Sequence, residues 1–414
     1  MPSNFVYHEL PNGLTVICEV MPRVRSAAAG FLARTGARHE LPHLHGVSHF
    51  LEHMCFKGTA SRSCHEINVR FDDLGSIYNA YTGKEHTLYY GWVPARRISP
   101  QLELLADIMR PSLPPADFET ERKVVLEEIA MGDDSFDRQV SNYLHKVVFQ
   151  QHPLGHEILG EKETIQALPH AAMVSYHQQR YAPDNMVVFV AGAIEPAEVF
   201  SAVGRYCGDW RRGTDGELPR EPLPPLSDGV HKLHLERFKT QSVIRLYPAI
   251  PHGHADEESL AAFISLFGGG NSRCFWNIVQ QGICTSAGAV WLAYQDCGVL
   301  ALFADGEPER CEEMIAALRE QVSLVYREGF TAEEVQRVKN RRRTHLALES
   351  ESPRTRMMQL IDDYETRGHV RTVDARLAAA EAVSQKSIMD YLHRHPINTD
   401  GTLLSCGPRD WPGE

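Results

Sequence analysis

The chain has 414 residues, 43% of them hydrophobic, with a net charge of −12 and a pI near 6.0. That length exceeds one ordinary core and predicts two or more domains. The acidic balance argues against nucleic acid or an anionic membrane as partner, and no apolar run approaches the roughly 18 residues that span a bilayer.

The opening, MPSNFVYHELPNGLTVICEV, lacks the basic-then-apolar order of a signal peptide. Nine cysteines are scattered along the chain, and no two form a CxxC pair. An odd, scattered set speaks against a disulfide framework or a thiolate zinc site. It fits a reducing compartment, so the expected location is the cytoplasm.

In chain order, residues 14–20 read as a strand and 26–34 as a small, apolar one. A polar loop, HELPHLHG, then leads to a helix containing SHFLEHMCFKGT. On a helix, His49, Glu52, His53 and Phe56 share one stripe. Two histidines four apart can present both imidazoles to one ion, and Glu52 beside them can take a proton from water that zinc has acidified. Val47, Phe50, Leu51 and Met54 lie on the other side and can anchor the helix in a core. The competing reading is an amphipathic helix that happens to carry two of the chain's 21 histidines.

Residues 76–82 and 87–93 pair plausibly as a hairpin across a turn with Gly83 and Lys84. Residues 102–109 and 118–131 read as helices. In the second of these, Glu121 and Glu128 are seven apart and so project from one helix face. A metal site needs a third ligand, and these glutamates are candidates. A solvated acidic face explains the spacing equally well, and Glu127 competes with Glu128. Residues 185–192 (NMVVFVAG) read as a buried strand.

Residues 211–229, RRGTDGELPREPLPPLSDG, hold four prolines and three glycines and read as a linker. The predicted domains are therefore 1–212 and 230–414, joined by 213–229. Beyond the linker the pattern restarts. Strands at 230–235 and 242–247, the loop PHGHADEES and a helix at 260–267 repeat the first half at an offset of about 216 residues, the mark of a duplicated α/β unit. HFLEH then falls opposite SLFGG, so the second copy carries no metal-binding pattern. Long helices at 309–327 and 332–350 follow.

HFLEHMCFKGT, with ERKVVLEEI about 75 residues downstream, resembles the M16 peptidases, the pitrilysin or inverzincin family, whose reversed zinc motif is H-x-x-E-H. GSIYNAYTGKEHTLYY, HPLGHEILG, RYAPDNMVVFVAG and FGGGNSRCF extend the resemblance over nearly the whole chain. Length and duplication are similar to the M16B branch, which includes mitochondrial processing peptidase. By position, the resemblance implies His49 and His53 as zinc ligands and Glu52 as the general base. It implies Glu128, the second glutamate of the EEI step, as third ligand and Glu121 as an acid that supports the site. Asn79 and Ala80 match the family's substrate-binding edge strand, where a peptide can add itself as a further strand. The alternative for Asn79 is a hairpin turn residue.

One departure stands out. Active single-chain members carry an arginine and a tyrosine in the second half that hold the substrate. In the aligned stretch here, WNIVQQGICTSAG, those positions fall on Ile278 or Val279 and on Thr285. The resemblance thus implies an α+β fold of two duplicated domains, each a mostly antiparallel sheet backed by helices, forming half of a four-domain clamshell. It implies one zinc ion and peptide cleavage. It also implies a second M16-like subunit supplying the Arg/Tyr pair, with a heterodimer favoured over a homodimer. The alternative is a non-catalytic structural or binding subunit.

Overall fold

The computed structural model describes residues 5–213 and 221–412. Within the expected linker, residues 214–220 lie outside this set, as do 1–4 and 413–414 at the ends.

The first half contributes β1 (Phe5–Glu9), β2 (Thr15–Val20), β3 (Ser26–Ala33), β4 (Ile77–Thr82), β5 (Thr87–Pro94) and β6 (Met186–Gly192). Its helices are α1 (Val47–Cys55), α2 (Cys64–Leu74), α3 (Ile98–Ile108), α4 (Pro115–Asp133), α5 (Phe136–Phe149), α6 (Lys162–Ala167), α7 (His170–Arg180) and α8 (Pro196–Cys207). The second half contributes β7 (Gly229–His234), β8 (Gln241–Ala249), β9 (Ser286–Ala293), β10 (Gly298–Gly306) and β11 (Thr402–Gly407). Its helices are α9 (Glu257–Phe267), α10 (Cys311–Glu328), α11 (Ala332–Glu349), α12 (Pro353–Arg367), α13 (Val373–Ala382) and α14 (Gln385–Arg394).

The strands form two sheets, ordered β1-β2-β6-β3-β5-β4 and β7-β11-β8-β10-β9. In the first, β2 and β6 run parallel and every other pair is antiparallel. In the second, β7 and β11 run parallel and the rest antiparallel. Without β1, the two sheets agree strand for strand in order and polarity, so the repeat read from the sequence is a repeat of topology. The middle strands are apolar throughout because both faces are covered; in β6, MVVFVAG, every residue is buried.

One face of each sheet carries helices of its own half. Phe50, Phe71, Phe118 and Tyr89 fill that core in the first half, and Phe263, Phe267 and Tyr391 in the second. The opposite faces are covered by exchange. From the first half, α5 lays Val140, Leu144 and Val148 on Ile244, Leu246 and Leu404 of the second sheet. From the second half, α12 lays Met357, Leu360 and Ile361 on Ile17, Leu32 and Phe189 of the first. Each such side chain fully buried stabilises the packing by about 1.5–3 kcal/mol. Polar contacts lock α12 further. The fully buried Arg356 donates through Nε to both carboxylate oxygens of Glu19 at 3.1 and 2.9 Å, and Arg34 pairs with Glu365 at 2.8 Å. A cut at the linker would strip one helix from each sheet. Among the described residues, no helix is long and apolar enough to cross a membrane.

Candidate active site

The site is built on α1. Val47, Phe50, Leu51 and Met54 are all fully buried, and Phe50 stacks on Phe118 of α4 with ring centroids 4.7 Å apart. That apolar stripe fixes both the rotation of α1 and its place beside α4. The start of the helix has no side-chain cap of its own. Gly46 precedes it at φ +92°, where a Cβ would meet the Leu159 carbonyl oxygen at 2.5 Å, so glycine is required. The capping is done from a distance: Glu40 accepts from the amides of Gly46 (2.8 Å) and Ser48 (2.7 Å).

With α1 held in this way, His49, His53 and Glu128 converge. Each offers one ligand atom, and all three atoms lie within 4.8 Å of one another. Glu128 Oε2 is 3.8 Å from His49 Nε2 and 3.7 Å from His53 Nε2. Ligand atoms at zinc distances of about 2.0–2.2 Å in a tetrahedron stand roughly 3.4 Å apart, so the cluster fits such an ion with little adjustment. Glu127, one residue away, is exposed on another face of α4 and outside the cluster.

Glu121 accepts from His53 Nδ1 at 2.8 Å and from Lys57 Nζ at 2.6 Å. A carboxylate on Nδ1 fixes the tautomer that leaves the Nε2 lone pair free for a metal. His49 has no matching support, because its buried Nδ1 has no partner among the described residues. Glu52, also buried, accepts from Thr82 Oγ1 at 2.6 Å.

The titration of these groups follows from burial and charge. Burial, with His53 and Arg138 adding to it, pushes His49 down to about 3, so it is a neutral ligand at any ordinary pH. Burial pulls His53 the same way, but the hydrogen bond and charge of Glu121, with Glu128 and Glu52, carry it up. Burial raises Glu52 against the opposing bond from Thr82. Burial would raise Glu121 too, but the bonds from His53 and Lys57 outweigh it and hold its carboxyl low. The environments thus push the two carboxyls in opposite directions, Glu121 down and Glu52 up.

Asn79 and Ala80 lie in β4, an edge strand. Asn79 is mid-strand opposite Tyr90, not in the turn. The Gly83 amide bonds to the His86 carbonyl, and counting back by alternation makes Ala80 and Tyr89 a non-hydrogen-bonded pair. The backbone groups of Ala80 therefore face outward, and Asn79 Oδ1 accepts from the Ala80 amide at 2.9 Å. Ile278 is fully buried in the second core and Val279 packs against it. Thr285 is tied to the Asp305 carbonyl through both its amide (2.9 Å) and its hydroxyl (2.8 Å). None of the three can act as an outstretched arginine or tyrosine.

Sequence reasoning missed Glu40, Lys57 and Thr82. Thr82 was within reach, since it ends the hairpin strand beside the motif. Glu40 carried no signal, because it sits outside any local capping pattern.

Residues 15–162 match the family described as insulinase (peptidase family M16), and residues 167–342 match the peptidase M16 inactive domain. An uncharacterized zinc protease of Bacillus subtilis, YmxG, is 30% identical over 406 residues, covering 96% of this chain and 97% of that one. An uncharacterized zinc protease of Mycobacterium tuberculosis is 30% identical over 404 residues, covering 96% and 92%. In structure, a protease from Helicobacter pylori superposes with a TM-score of 0.90 at 22% identity, covering 98% of this chain and all of that one. The periplasmic protease PqqL of Escherichia coli gives a TM-score of 0.81 at 17% identity, covering 99% of this chain but 48% of its own. Fold, length and sequence agree: the chain belongs to the M16 peptidase family.

Proposed function

We propose that this chain is a zinc-dependent endopeptidase that cleaves peptides or unfolded segments inside a closed chamber. The observation that carries the reading is the convergence of His49, His53 and Glu128 with Glu52 on the same helix stripe. His49, His53 and Glu128 would hold the ion, which when bound makes water acidic enough to yield its proton near neutral pH. Glu52, with its raised pKa, takes that proton and returns it to the leaving amine. Thr82 holds the Glu52 carboxylate in place, and Glu121 keeps His53 in the ligating tautomer.

The peptide adds to the outer edge of β4, where Ala80 presents its backbone. Asn79 covers the Ala80 amide and must turn aside for the strand to pair.

The chain spans about half of PqqL, in keeping with half of a clamshell, so a second M16-like subunit is needed to close the chamber. We favour a heterodimer whose partner brings the arginine and tyrosine missing at Ile278, Val279 and Thr285; a homodimer is the alternative. We place the protein in the cytoplasm, since all nine cysteines are free.

The test is peptide cleavage by the zinc-loaded chain, alone and with the partner, read by mass spectrometry. Weak cleavage alone and a rise by orders of magnitude with the partner is the expected result. Robust turnover by the lone chain would remove the need for borrowed residues. A second reading, a binding subunit without catalysis, is favoured by the same three positions. It predicts a chain that fails to take up zinc at one ion per chain, which metal analysis decides.

A further inference from the structure

The second half holds a cavity of about 780 Å³ lined by α9, α10, α11 and the segment 271–277, with α9 and α11 the helix pair that repeats α1 and α4. α9 holds no histidine, and its glutamates, Glu257 and Glu258, sit in its first turn, so it has no counterpart of the α1 motif. At the offset of about 216 residues, Arg337 stands where Glu121 does. The chemistry of the place has changed sign, from imidazole and carboxylate to guanidinium.

Arg337 and Arg341, one helical turn apart on α11, both line the cavity. The Arg341 guanidinium donates to Ser265 Oγ at 2.8 Å and to the Gly270 carbonyl at 3.1 Å, which fixes its plane without neutralising it. Neither arginine has a carboxylate partner among the described residues. The acids of the lining are already matched: Glu334 takes both bonds from Arg273 at 2.9 Å, and Glu328 pairs with Arg327 at 3.1 Å. Two positive charges are therefore left over. Beside them, the amides of Gly270 and Asn271 have no acceptor among the described residues, and the space over Gly270 is open.

We propose that this cavity is a carboxylate-binding site for the bound peptide, taking its free C-terminus or an acidic side chain. An arginine with a fixed plane matches a carboxylate with two parallel hydrogen bonds. The protein's overall charge of −12 disfavours a polyanionic ligand and leaves a single carboxylate as the group that two local cations hold. The inference rests on the reading of the chain as one that handles peptides.

The test uses the full chain carrying Glu52→Gln, so that no peptide is cut. Three fluorescent peptides of one unstructured sequence are compared by anisotropy: a free C-terminus, a C-terminal amide, and the amide with one internal glutamate. The charged peptides are expected to bind about tenfold tighter than the plain amide, the scale of one charged hydrogen-bonded pair. Arg337→Gln with Arg341→Gln removes the preference and leaves the amide peptide unchanged. Arg337→Gln alone, at an exposed side chain with no partner, guards against misfolding and loses part of the preference. Preference for the free terminus alone assigns the site to the C-terminus, and preference for the glutamate peptide alone to side chains. Equal binding of all three peptides, or a preference that survives both substitutions, overturns the proposal. A preference that persists in a chain with native Glu52 that cuts no peptide overturns the peptidase reading and not this one; cleavage without a preference does the reverse.

Discussion

The helix pairs α1/α4 and α9/α11 occupy the same place in two sheets of the same topology, yet among the described residues only the first gathers side chains that could hold a metal ion. What they share is the inner stripe: Val47, Phe50, Leu51 and Met54 in one, Leu260, Phe263 and Phe267 in the other, all fully buried. What differs is the outer stripe. Burial of apolar area fixes the helix against its sheet, and the residues on the far side are then free to change from His/Glu to Ser/Arg without cost to the fold. Structure and chemistry ride on opposite faces of the same element.

The comparison breaks most sharply at Glu52. α9 carries no carboxylate beyond its first turn, so the same packing forms without one, and the first copy should tolerate the loss of Glu52 as a fold. Glu52→Gln is expected to fold and to hold zinc while cleavage of an unstructured peptide falls about 10²–10⁴-fold. Retention of most activity would show that Glu52 is not the proton acceptor.

Next is the third ligand. Glu128→Gln should weaken zinc binding by more than the roughly 10–100-fold that losing an outer-shell partner costs, and Glu121→Gln by about that amount. Glu127→Gln, at an exposed side chain, should leave it unchanged. Zinc titration ranks the three, and a larger loss at Glu127 than at Glu128 would overturn the assignment.

A smaller effect tests how closely the end of α9 is packed on its sheet. A Cβ at Gly268 would sit 2.1 Å from the Ala289 amide nitrogen and 2.6 Å from the backbone of Gly288. The end of α9 thus presses on β9 with no room for a side chain. Gly268→Ala is expected to cost about 1–3 kcal/mol in a urea melt, the scale of an overpacked site. A neutral result would mean that the two elements separate easily.

Much of this is legible in the sequence. The motif helix, the β4–β5 hairpin and the long helix with Glu121 and Glu128 announced themselves through periodicity, because each buries one face at its own period. The expected helix at 260–267 ends where α9 does, at Phe267 before Gly268, Gly269 and Gly270, but α9 starts three residues earlier, at Glu257. The exchange of α5 and α12 was not legible. Both are ordinary amphipathic helices, and nothing local in an apolar stripe says which sheet it will meet. The choice between Glu127 and Glu128 was open from spacing alone and was decided only by family resemblance. Geometry then put Glu128 beside the histidines. Glu40 was invisible because its partners lie six and eight residues on, across a turn that depends on Gly46.

Glu40 gives the finest contrast between the halves. The first turn of α9 carries its own acids, Glu257 and Glu258, whereas the first turn of α1 has none. The start of the motif helix therefore leans on one buried carboxyl, and burial pushes that carboxyl up to about 7 against the bonds from Ser48 and Gly46. An unfolded glutamate titrates near 4.5. Between these two values the folded chain binds a proton that the unfolded chain has released. Stability from this group is thus fully present below about pH 4.5 and is lost as the pH rises through about 7. Other carboxyls titrate in the same window, so the wild-type curve alone does not isolate it. The difference between wild type and Glu40→Gln does, because glutamine has no proton to lose. Measured by urea unfolding from pH 4.5 to 7.5, the stability of wild type relative to the variant is expected to fall. The slope cannot exceed about 1.4 kcal/mol per pH unit, the limit for one proton. Parallel curves would mean that the two backbone amides hold Glu40 ionised in spite of its burial. The cap on α1 would then be a fixed anion, independent of pH.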